Sequence, residues 1–87
     1  MSGAIDSMIS RILLQPIRVA TDSSDEDGRL VLVDGRLVAV LVHLQDSGHD
    51  ELTGSWFLEA GFGPCATPAC ETFKSLNAAQ IWIMDRL

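Results

Sequence analysis

The sequence predicts an α+β domain: a three-stranded antiparallel meander in α-β-β-β-α order, with helices packed on a Leu/Trp face of the sheet. Three observations carry that expectation. An Asp34-Gly35 pair separates two β-branched apolar runs, an apolar stripe at helical spacing lies toward each end of the chain, and a third alternating run follows a polar connection.

The first helix is expected where Ile5, Met8, Ile9, Ile12 and Leu13 recur at i, i+3, i+4, i+7, i+8 spacing. Pro16 ends it near Gln15, because proline lacks the amide hydrogen that a helix interior uses. The acidic stretch TDSSDEDG, from Thr21 to Gly28, has almost nothing to bury and is read as a solvated connection. RLVLV and RLVAVLVHL on either side of Asp34-Gly35 then form a hairpin with a type I′ turn, whose two central residues both need positive φ. QDSGHDELT is a second polar loop, and GSWFLEAGF supplies the third strand before Gly61, Gly63, Pro64 and Pro68 break regular structure. In SLNAAQIWIMDRL, Leu76, Ala79, Trp82 and Ile83 trace a helical stripe, with Ser75 as N-cap.

Eighty-seven residues fit one domain spanning 1–87, and a chain of that size buries roughly 60 to 65% of the surface its unfolded form exposes. With 47% apolar residues but only 6% aromatics, the core must be built from Leu, Val, Ile and Ala. A net charge of -6 and a pI near 4.5 oppose binding to phosphate backbones or anionic lipid, both of which call for clustered Lys and Arg. A protein partner or a second copy is expected instead, with no nucleic acid and no membrane. The start, MSGAIDSMISRILLQPIR, has no cationic n-region and no long apolar run, so a cytoplasmic chain is expected. There the two cysteines remain thiols, bind metal or act in redox chemistry in preference to forming a disulfide.

The two-residue turn sets an expected register. If Val33 faces Arg36, then Leu32 faces Leu37, Val31 faces Val38 and Leu30 faces Ala39. One face then carries Leu30, Leu32, Leu37, Ala39, Leu41 and His43, joined by Trp56, Leu58 and Ala60 on the third strand. The opposite face carries Val31, Val33, Val38, Val40 and Phe57, rimmed by Arg29, Arg36 and Glu59. Both faces are apolar and both want cover. With helices on the Leu/Trp face, the valine face is the expected interaction surface, closing a homodimer or receiving a protein partner. The plainer alternative puts a helix or the long loops over the valines.

Four residues suit a metal. His43, His49, Cys65 and Cys70 are the only His and Cys in the chain, and two close pairs bridged by a longer span are compatible with tetrahedral Cys2His2 zinc. The order is inverted relative to the usual cysteines-first arrangement, and C-x4-C is looser than a zinc knuckle. The competing reading makes His43 a strand-end residue, His49 a loop residue and the cysteines small hydrophobes. A Cys65 nucleophile activated by His43 is a further alternative, which requires the two to meet in space. Ser23, Asp25, Asp27, Gly28, Leu30 and Asp34 fit positions of an EF-hand frame that lacks the closing Glu, so a solvated acidic loop is preferred. Trp56 and Trp82 read as core anchors. The expected function is non-catalytic and cofactor-free: a small interaction domain acting through the valine-rich face, with zinc stabilisation, or less strongly a cysteine-dependent enzyme, as the alternatives.

Overall fold

The computed structural model describes residues 12–45 and 51–87. Five strands form one antiparallel meander, ordered β1 to β5 across the sheet: β1 Ile12–Arg18, β2 Asp27–Val33, β3 Arg36–His43, β4 Trp56–Gly61 and β5 Thr72–Phe73. A 3-10 turn, Gly63–Cys65, follows β4, and a single α-helix among the described residues, α1 Leu76–Arg86, closes the order. The α-β-β-β-α order with helices on the Leu/Trp face is therefore incorrect. Among the described residues two further strands flank the three expected, and one helix, at the C-terminal end, is present.

The N-terminal correction has a physical origin. Ile12 to Gln15, the end of the expected first helix, belong to β1, while the earlier part of that segment lies outside the described residues. ILLQPIR holds few enough residues to satisfy helical and extended periodicity alike, and Pro16 is at home in a strand at the sheet's edge, where one side of the backbone needs no ladder partner.

The hairpin turn forms as the sequence requires, with Asp34 at φ 52° and Gly35 at φ 82°. Next to it Val33 pairs Arg36 and Leu32 pairs Leu37, as expected. Beyond that the register slips. Val31 pairs Ala39, not Val38, and Leu30 pairs Val40, not Ala39, so Val38 is an extra residue in β3. A second slip in β4 leaves Glu59 as the extra residue between Leu58, which pairs Leu41, and Ala60, which pairs Val40. Each bulge flips the parity of everything past it.

The two bulges sort the side chains. Val31 and Val33 share one face with Val38, Ala39, Leu41, Trp56, Leu58 and Phe73, all buried in a single core cluster. Onto this face α1 lays Ala79 and Ile83, and the 3-10 turn lays Cys65. Burying the Ile83 side chain contributes about 1.5–3 kcal/mol. Gly61 makes room for that turn, since a Cβ there would stand 2.0 Å from the Cys65 carbonyl oxygen. The helix begins at the expected cap, where the Ser75 hydroxyl accepts the Ala78 amide at 3.0 Å, an interaction that contributes about 1 kcal/mol. At its other end the Arg86 guanidinium lies 4.0 Å over the Trp82 ring, which packs at a tilt on Phe73.

Candidate functional site

The opposite face of the sheet has no helix on it among the described residues. It carries Leu13 and Ile17 from β1, Leu30 and Leu32 from β2, Leu37, Val40 and Val42 from β3, and Phe57 and Ala60 from β4. Leu13 is 59% exposed, Leu37 39% and Ile17 38%. From β1 to β3 this outer face holds no charged side chain, Gln15 being its most polar member; Glu59, at the β4 bulge, is the first charge encountered.

At the end of the outer face near Val42 the surface folds into a groove of about 520 Å³. Val42, Leu44, Leu52 and Phe57 form its apolar lining, with Thr21, Asp25, Glu59, Cys70 and Thr72 among its polar groups. The acidic connection supplies one wall and is tied down by its own side chains. Thr21 Oγ1 donates to the Asp25 carbonyl at 2.9 Å, and the buried Asp25 carboxylate accepts the Gln45 amide at 2.8 Å, which anchors the loop to the end of β3. The Gln45 amide supplies the carboxylate with a fixed donor in a residue that is only 3% exposed. An EF-hand arrangement does not form. Asp25 turns to Gln45, Asp27 pairs with Arg29 at 3.0 Å, and Asp34 occupies the hairpin turn at the far end of β2.

The eight residues expected on one valine face are divided between the two sides. Val31, Val33 and Val38 are sealed in the core beneath α1 and the 3-10 turn. Arg29 is on the core side, where its guanidinium lies 5.1 Å from the Trp56 ring centroid. Arg36 is exposed beside the hairpin turn. Val40, Phe57 and Glu59 remain on the outer face. The cause is the β3 bulge: with one extra residue at Val38, strict alternation from the turn no longer follows the side chains. Leu30, Leu32 and Leu37, assigned by sequence to the Leu/Trp face, stand on this side, together with Leu13, read as helical, and Ile17, which the sequence reading left unassigned. Pro16 within an apolar run was the signal that could have found the β1 pair; the bulges left none.

Three of the four expected zinc ligands fall among the described residues, and these are not gathered. Cys65 is in the core cluster on the helix side, whereas Cys70 is exposed and lines the outer groove. His43 stacks on Trp56, ring centroids 4.3 Å apart and 9° from parallel, with Nε2 donating to the Gly54 carbonyl at 3.2 Å and Nδ1 3.9 Å from Asp27. His49 lies outside the described residues. Among the described residues no group of three or more His, Cys, Asp and Glu converges in a way that could hold a metal ion. Burial pushes the Cys65 thiol above its ordinary value of 9.0, an effect the Arg86 charge opposes only in part. The thiol is thus protonated near neutrality, the wrong state for a nucleophile.

No helix among the described residues is long and apolar enough to cross a membrane. Comparison with protein-family models, with curated proteins and with solved structures finds no match for this chain.

Proposed function

We propose that this chain is a non-catalytic interaction module that binds protein through the outer face of its sheet. The observation that carries the proposal is the pairing of large exposure with absent charge. Leu13, Ile17 and Leu37 stand open on a face that has no ionised group from β1 to β3, in a chain whose residues are 21% charged. A contiguous apolar surface of this kind marks an interaction site more often than idle surface. The buried, protonated Cys65 thiol and the engagement of His43 with Trp56 and Gly54 support a role without catalysis. Two free thiols are compatible with the reducing cytoplasm.

The test is a soluble paramagnetic probe applied to the dilute chain, read on the methyl signals of the outer face. Strong broadening of Leu13, Ile17 and Leu37 with sparing of Val31 and Leu41 is the expected outcome. Equal protection of both sets would mean that the outer face is already covered, and the interaction role would fail.

A further inference from the structure

We infer that the occupant of the outer face is a second copy of this chain, docked face to face about a two-fold axis; this rests on the interaction role above. In an isologous contact every residue meets its own patch, so a charged patch would bring like charges together. Here nothing charged lies between β1 and β3, and Leu13, Leu32, Leu37 and Val40 meet their own kind without an electrostatic cost. A charge-free surface also lacks the means to select or orient a charged partner, since electrostatic complementarity needs groups on both sides. Its complement is a second neutral apolar surface.

Area sets the strength. Three strands about 4.8 Å apart, each about seven residues at about 3.3 Å per residue, give a charge-free footprint on the order of 330 Å² per copy. A standard stable interface takes about 800 Å² from each partner, so the pair forms weakly and reversibly. Charge sets its salt dependence. Each copy carries a net -6, with no charged side chain on the outer face from β1 to β3, and the two copies repel at long range. Screening that repulsion strengthens the dimer as salt rises. A basic partner attracted to the acidic surface would bind more weakly under the same change.

The experiment is sedimentation equilibrium of the full chain from about 10 µM to about 1 mM, a range chosen for a weak contact, repeated at about 0.05 M and about 0.5 M salt. The expected result is a mass that climbs from 9.4 kDa toward twice that value, at lower concentration in the higher salt. Leu13→Glu with Leu37→Glu should remain monomeric throughout with unchanged helicity, both side chains being exposed in the single chain; Leu37→Glu alone is the milder variant. A wild-type chain that stays monomeric with its outer methyls open to the paramagnetic probe overturns the dimer and leaves the interaction role standing. A monomer with those methyls shielded overturns both. Self-association that salt weakens, or that survives the double substitution in a folded chain, also overturns the inference by assigning the contact to another surface.

Discussion

The two faces of this sheet are built from the same residue types and have opposite fates. Val31, Ala39 and Leu41 are fully buried under α1 and the 3-10 turn, while Leu13 and Leu37, equally apolar, stand open on the other side. Hydrophobicity alone therefore does not assign a residue to the core. What decides is parity, and two extra residues, Val38 and Glu59, set the parity of β3 and β4. Without the β3 bulge, Val31 would face Val38 and the far half of β3 would turn its other side toward α1, taking Leu41 out of the core.

The sharpest way to break the comparison uses neighbours on one strand. Val38 is 7% exposed in the core, and Val40, two positions on, faces outward. In an unbulged strand they would share a side. Val38→Lys places a charge beneath the helix and should cost more than about 4 kcal/mol, a large part of the stability of an ordinary small domain. Val40→Glu should cost less than about 1 kcal/mol, its carboxylate reaching solvent. Urea melts followed by far-ultraviolet dichroism separate them. Equal losses would mean that the bulge is misplaced or that both faces are internal.

Gly61 probes the covered face from the side of the 3-10 turn. An alanine there meets the Cys65 backbone, which has no flexible end to swing away. The turn must lift off β4 and carry Cys65 with it, a strain on the order of 1–3 kcal/mol. The expected signature is a lower urea midpoint together with faster alkylation of Cys65. A lower midpoint with the thiol still protected would place the strain elsewhere.

Local signals explain which parts of this structure were legible beforehand. Asp34-Gly35 specified its turn because few residue pairs tolerate two consecutive positive φ values, and Ser75 specified its cap through a bond spanning only three residues. The buried Ala79 and Ile83 were visible as a helical stripe. The β3 bulge falls in LVAVLV, where any residue could be the extra one without changing composition, so nothing local marks Val38. Strand β5 has two residues, Thr72 and Phe73, too few for any periodicity, and is held by pairing with Phe57 and Trp56. The reading of the outer face inherited the same error: Val40, Phe57 and Glu59 were grouped on one side as the register has them, and Leu13, Ile17 and Leu37 were not, because their side depended on β1 and on the true register.

The smallest expected effect turns the covered face into a pH measurement. Cys65 titrates above its ordinary 9.0 because burial disfavours the thiolate, which outweighs the help of the Arg86 charge. Its folded value is thus higher than its unfolded one. Below the unfolded value both states hold the proton, and the stability contributed by the neutral thiol is fully present. As pH rises past 9.0, the unfolded chain releases that proton first, and stability falls until the folded thiol also ionises. Stability against urea, measured from neutrality upward, should therefore bend down above that point in the wild-type chain and bend less in Cys65→Ala. If the bend persists in full in Cys65→Ala, the thiol beneath the helix is not the group that folding protects, and the covered face does not hold it as described.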